Sequence, residues 1–107
     1  MIDLHGAVLE ELRLDYRGGT VLVVFSTSSG EVHLKADGVF MVRAPRRQPW
    51  GRGGSEYVHE VRGPRALYPD SPVVQVEVQL GSGDVLEIEA RQITIAPPEE
   101  NGGAPVA

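Results

Sequence analysis

The chain has 107 residues, of which 41% are hydrophobic, enough for one domain with a single core. It contains no cysteine, which excludes disulfide bonds, thiolate metal sites and a cysteine nucleophile. The net charge of -5 argues against a general affinity for polyanions.

The amino-terminal segment "MIDLHGAVLEELRLDY" carries acids within its first apolar stretch and lacks the basic start of a secretory signal. No stretch reaches the roughly 20 apolar residues that span a bilayer. We therefore expect a soluble, cytoplasmic protein that makes no membrane contact.

The first half of the chain alternates apolar and polar residues with the period of two that is typical of half-buried strands. "LRLDY" places Leu12, Leu14 and Tyr16 on one face, and the two glutamates before it indicate a bulge. "RGG" suits a hairpin turn, and "TVLVVFS" is typical of a strand covered on both faces. "EVHLKAD" and "VFMVRA" follow, separated by Gly38, so the first 44 residues predict a four-stranded antiparallel meander.

The second half predicts another meander. "VVQVEVQL" and "VLEIEA" flank the tight turn "GSGD", and a phase change near Arg91 and Gln92 precedes a last short strand, "ITIA". Glu77, Glu87 and Glu89 are predicted to face one another across this hairpin, where solvated acids are far commoner than a catalytic carboxylate pair.

These patterns predict an all-β protein, an antiparallel β-sandwich or partly open barrel of two meanders with six to seven strands. The predicted strands cover residues 6–16, 20–27, 30–37, 39–44, 55–62, 73–80 and 84–95. Residues 1–96 are predicted to form the single domain, and residues 97–107 a disordered tail. The leucines and glutamates of "LHGAVLEELRLDY" leave a helix there as the alternative.

The opening "DLHGAVLEELRLDYRGGTVLVVFS", with the later "DGVFMVRAP", resembles small bacterial β-rich proteins that begin with Leu-His-Asp-Ala. That group includes uncharacterised domains and immunity proteins of polymorphic toxin systems. The resemblance covers roughly the first 45 residues, and Gly6 stands where the pattern has aspartate. It implies a non-enzymatic fold that works by binding.

The stretch "RAPRRQPWGRGGSEYVHEVRGPR", residues 43–65, interrupts the strand pattern. It holds six of the ten basic residues and the only tryptophan, against two glutamates. Its prolines and glycines predict an irregular loop between the two meanders. Trp50 either closes one end of the core or projects as a binding anchor.

We interpret this stretch as the candidate binding surface, because arginine and aromatic residues are enriched at interface hot spots. The predicted site residues are Arg46, Arg47, Trp50, Arg52, Tyr57, His59 and Arg62. The expected partner is a protein with an acidic surface. Single-stranded nucleic acid ranks lower, because the flanking sheet is acidic.

"SEYVHEVRG" alternates again and predicts a strand with Tyr57, His59 and Val61 on one face and Val58 on the other. A satisfied structural histidine is the default interpretation of His59. The alternative is a small-ligand site or a hydrolase built around it. We predict no enzymatic activity, metal or cofactor, and we expect homodimerisation through an exposed strand edge.

Overall fold

The computed structural model describes residues 2–46 and 57–98. Within these ranges the strands are β1 (Val8–Asp15), β2 (Thr20–Thr27), β3 (Gly30–Arg43), β4 (Val58–Ala66), β5 (Val74–Leu80) and β6 (Val85–Ala96). They pair antiparallel in one sheet of order β1-β2-β3-β6-β5-β4. The predicted all-β antiparallel fold is confirmed. The alternative helix in the amino-terminal segment is wrong, because β1 occupies that position.

The sheet consists of two meanders, β1-β2-β3 and β4-β5-β6, joined by the pairing of β3 with β6. The described residues form no helix, and hence none long and apolar enough to cross a membrane. The turns predicted at "RGG" and "GSGD" lie between β1 and β2 and between β5 and β6.

The first meander has three strands, where the sequence predicted four. Residues 30–37 and 39–44 were predicted as separate strands but form one, β3, which continues through Gly38 at a φ of +65°. A Cβ on Gly38 would lie 3.0 Å from Cγ of Arg91, so the glycine leaves room for this β6 side chain. The predicted phase change in β6 is confirmed, because Arg91 and Gln92 are both exposed between buried Ala90 and Ile93.

β4 continues to Ala66, past the predicted end at residue 62, whereas residues 55 and 56 of the predicted strand lie outside the described residues. The register of β4 against β5 shifts between Val58 and Glu60. Val58 and Val61 both pack with the core, while His59 and Glu60 between them are exposed. The predicted alternation, with His59 and Val61 on one face and Val58 on the other, is therefore wrong. The bulge places an extra residue between the two core positions, and the alternation rule does not foresee it.

A second register shift in β4 lies between Arg62 and Arg65. Pro64 lies inside this strand. β4 is at the edge of the sheet. An edge strand tolerates proline because some of its backbone N–H groups are not hydrogen-bonded to a neighbouring strand.

The core consists of the inward-facing side chains of both meanders. The largest of those less than 2% exposed are Phe25, Leu34, Ile88, Val23, Val58, Val76 and Val78. β2 contributes Val21, Val23 and Phe25 to this core, and Val24 on its other face is also buried. The prediction that this strand is covered on both faces is consistent with that burial.

The two edge strands meet at one point, which we call the seam. Val8 and Tyr57 form a β-bridge, the Val58 N–H donates to the Ala7 carbonyl at 2.8 Å, and the Gly6 N–H donates to the Val58 carbonyl at 2.8 Å. Elsewhere in the described ranges, β1 residues 9–15 pair only with β2. The two edges are thus joined at the seam, and β1 is unpaired beyond it, an arrangement consistent with a partly open barrel.

The open part of β1 departs from the predicted burial. The bulge predicted at the two glutamates is confirmed by a register shift between Leu9 and Glu11. Leu12 packs against the core, but Leu14 is 55% exposed and Tyr16 101% exposed. Leu14 is on the predicted face, opposite buried Val21 of β2. It is nevertheless exposed, because β1 is at the edge of the sheet and has only β2 as a neighbour there.

Candidate functional site

Three of the predicted site residues, Arg47, Trp50 and Arg52, lie outside the described residues. The other four are described, and in the sequence they lie on either side of residues 47–56. Arg46 follows β3 and is half-buried, whereas Tyr57, His59 and Arg62 are exposed at the start of β4 and within it.

Tyr57 combines an exposed side chain with a fixed main chain. Its backbone forms the bridge to Val8, and its carbonyl accepts the N–H of Gly81 at 2.8 Å. The next residue, Val58, is 1% exposed and anchors the strand in the core. Tyr57 as a whole is thus 51% exposed, on a backbone held from both sides.

His59 meets His5 across the seam. Nδ1 of His5 lies 2.7 Å from the carbonyl oxygen of His59, and the two ring centroids are 5.9 Å apart at an interplanar angle of 61°. Because a carbonyl oxygen only accepts, Nδ1 of His5 carries the proton in this contact, and the lone pair of the neutral ring belongs to Nε2. We call Tyr57, His59 and His5 the seam surface.

His5 is not among the residues predicted from the sequence, because 54 residues separate it from His59. No local pattern reports that contact. The segment around His5 is also held by a local bond, in which the backbone N–H of His5 donates to Oδ1 of Asp3 at 2.9 Å. Aspartate makes such bonds in turns, so Asp3 is a local sign that the segment turns here, as is Gly6 with its φ of +82°.

Arg62 lies away from the seam, in a charged row that crosses β4, β5, β6 and β3. Arg62 is opposite Glu77, Glu77 is opposite Glu87, and Glu87 is opposite Arg43. Nε of Arg62 lies 3.3 Å from Oε2 of Glu60 on its own strand. The two described arginines of the row thus already face acids of the same chain.

The acids Glu77 and Glu87 are cross-strand partners, as the sequence predicted, whereas Glu89 is opposite Gln75. Nε2 of Gln75 donates to Oε2 of Glu87 at 2.6 Å, and Nη1 of Arg43 lies 3.9 Å from Oε1 of Glu87. Both carboxylate oxygens of Glu87 thus have a partner within the sheet. The arrangement is that of a charged sheet face.

The described part of the chain offers no group of three or more histidine, cysteine, aspartate or glutamate residues that could hold a metal ion. His5 and His59 are brought together, but His33 is on β3, where its Nε2 lies 2.9 Å from Oε1 of Glu31. Among the described residues, the ring of His59 contacts the ring of His5 and no carboxylate. These contacts therefore provide no support for the hypothesis of a hydrolase or small-ligand site at His59.

Comparison with known proteins bears on the fold. No protein-family model and no curated protein matches the chain. Among solved structures, it is similar to an uncharacterized protein from Neisseria gonorrhoeae, with a TM-score of 0.59 and 16% sequence identity, over 88% of this chain and 93% of that one. At this identity, the similarity establishes a shared fold across nearly the whole of both chains.

Proposed function

We propose that this chain is a small non-enzymatic domain that binds a protein partner with an acidic surface. The binding face consists of the seam surface and the arginine-rich stretch that leads into it. The resemblance of the first 45 residues to immunity-like β proteins supports an accessory or immunity role in the cytoplasm of a bacterium.

The observation that carries this proposal is the geometry of Tyr57. Tyr57 as a whole is half-exposed, yet its backbone is fixed by Val8 on one side and Gly81 on the other. A rigid tyrosine offers a large contact area at a low cost in conformational entropy, which is why tyrosine is frequent at interface hot spots.

The charge of the neighbouring stretch supports an acidic partner. Residues 43–65 contain six arginines and two glutamates, in a chain whose net charge is -5. Arg62 already has Glu60 at 3.3 Å and Glu77 across the strand, so we assign it a smaller share of the binding. Exposed ion pairs of this kind contribute about 0–1 kcal/mol each.

The proposal is tested by photo-crosslinking in the native cell. A crosslinking amino acid at Tyr57 should capture one protein repeatedly, whereas the same group at Tyr68, which is 59% exposed on another loop, should not. With the captured protein purified, we expect Tyr57→Ala to raise the dissociation constant at least about tenfold and Tyr68→Ala to leave it unchanged. Equal weakening by both variants, or no common crosslinked protein, would contradict the proposal.

The tryptophan of the same stretch gives an independent check. If Trp50 is a binding anchor, the free protein should show red-shifted indole emission that iodide quenches readily, and the partner should protect it. The chain has a single tryptophan, so the signal needs no deconvolution. Blue-shifted emission that resists iodide would instead indicate that Trp50 closes the core, and binding would then rest on Tyr57 and the arginines.

A further inference from the structure

The two edge strands of the sheet differ in how open they are to another strand. β4 contains Pro64, which lacks an N–H, and two register shifts. Proline and bulges are features by which proteins prevent edge strands from pairing. β1 contains no proline, and its pairing with β2 is regular from Glu11 to Asp15. The edge of β1 is therefore the one suited to receive a strand.

Apolar side chains are exposed along this part of β1. Leu14 lies in a cross-strand row with Val21, Ala36 and Ile93, all of them at most 8% exposed, but is itself 55% exposed. Tyr16, directly after β1, is 101% exposed. The core-facing side of the sheet thus ends in uncovered apolar surface at this edge.

The charges of the segment are self-complementary. Glu11, Arg13, Asp15 and Arg17 alternate in sign along "ELRLDYR". Within one copy, Nη2 of Arg13 lies 3.0 Å from Oε2 of Glu11, and the Arg13 side chain remains 63% exposed. In an antiparallel pair centred on Leu14, Arg13 of each copy is opposite Asp15 of the other. In the same register Leu14 is opposite Leu14, and Tyr16 is placed beside Leu12 of the other copy. Opposite charges then share one face and apolar residues the other.

We propose that β1 pairs with β1 of a second copy of this chain, antiparallel and centred on Leu14, to form a twofold homodimer with a continuous sheet. A register centred on Arg13 would oppose Arg13 with Arg13 and Glu11 with Asp15. A register centred on Leu12 would draw in the bulge between Leu9 and Glu11. Like charges directly opposite each other destabilise a strand pair, and a bulge disrupts the ladder.

Cysteine substitution tests the interface and its register, since the chain has no cysteine of its own. Leu14→Cys places two thiols directly opposite each other, at a Cβ separation of about 4.5–5.5 Å, whose lower end meets the upper end of the about 3.5–4.5 Å found in disulfides. Phe40→Cys is the matched control, because Phe40 is 58% exposed and Leu14 55%. Under mild oxidation, we expect Leu14→Cys to form a covalent dimer at least about tenfold faster than Phe40→Cys.

Two outcomes of this experiment overturn the proposal. Equal rates for Leu14→Cys and Phe40→Cys would show that the edge of β1 is not an interface. Faster crosslinking of Leu12→Cys than of Leu14→Cys would show that the register is centred on Leu12 instead.

Charge reversal tests the pairing without a covalent crosslink. Arg13→Asp places the new carboxylate of each copy opposite Asp15 of the other, so like charges meet twice in the dimer. We expect the dissociation constant from sedimentation equilibrium to rise about tenfold. Arg65→Asp makes the same charge change on the β4 edge and should leave that constant unchanged. A monomer mass at all concentrations of the unsubstituted protein, or equal effects of the two reversals, would contradict the proposed dimer.

Discussion

Phe25→Ala should lower the free energy of unfolding by about 3–5 kcal/mol, as measured by urea denaturation followed by circular dichroism. Phe25 is 0% exposed and lies in β2 between Leu9 of β1 and Val32 of β3. The truncation removes buried apolar surface and leaves a cavity that the flanking strands fill only in part. Small domains have a total stability of about 5–15 kcal/mol, so this variant should be close to unfolding.

The chain supplies its own control for this prediction, because its other phenylalanine, Phe40, is 58% exposed. Phe40→Ala deletes the same atoms from the surface of β3 and should change the stability by less than about 0.5 kcal/mol. Similar losses for the two variants would mean that the first meander is not packed as described.

Gly63→Ala should be the most damaging glycine substitution among the described positive-φ glycines. Gly63 has a φ of +93°, and an added Cβ would lie 2.6 Å from the carbonyl oxygen of Gln75 and 3.1 Å from the amide nitrogen of Arg65. Both are backbone atoms, which cannot rotate away as a side chain would. We expect a loss of about 3 kcal/mol or more in the free energy of unfolding, since positive φ alone costs an alanine about 1–2 kcal/mol.

Gly6→Ala separates the two causes of that loss. Gly6 has a φ of +82°, and nothing lies within 4 Å of the position that an added Cβ would take. This variant should therefore show only the conformational cost of about 1–2 kcal/mol. If Gly6→Ala and Gly63→Ala destabilise equally in urea, the contact with the Gln75 carbonyl has no energetic weight.

The sequence predicted those strands whose pattern is unbroken, either a continuous apolar run, as in β2, or a regular alternation, as in β5. β2 has the predicted bounds, 20–27, and β5 starts one residue after the predicted 73. Such strands are determined by their own residues, because each inward position is apolar and each end has a turn signal. The errors lie where the pattern breaks. Gly38 interrupts the alternation just as a turn would, but β3 continues through it because the residues on both sides pair with β6.

The candidate site was predicted in composition more than in geometry. Tyr57 was recognised as a candidate binding residue, but the bulge that turns both His59 and Glu60 outward leaves no mark on the alternation. The contact of His59 with His5 was beyond local reasoning, because it depends on how the two meanders close at the seam. Long-range pairing of this kind follows from the global packing of the strands and has no local sequence signature.

The pairing of β3 with β6 also has a consequence for how the chain folds. The other four strand pairs join neighbours along the chain, whereas this one joins distant residues such as His33 and Ala96. Hairpins form in about 1–10 μs, while contacts between distant segments must first overcome the entropy of closing a long loop. We therefore expect each meander to assemble early, with the docking of β3 on β6 as the slow step that completes the native state.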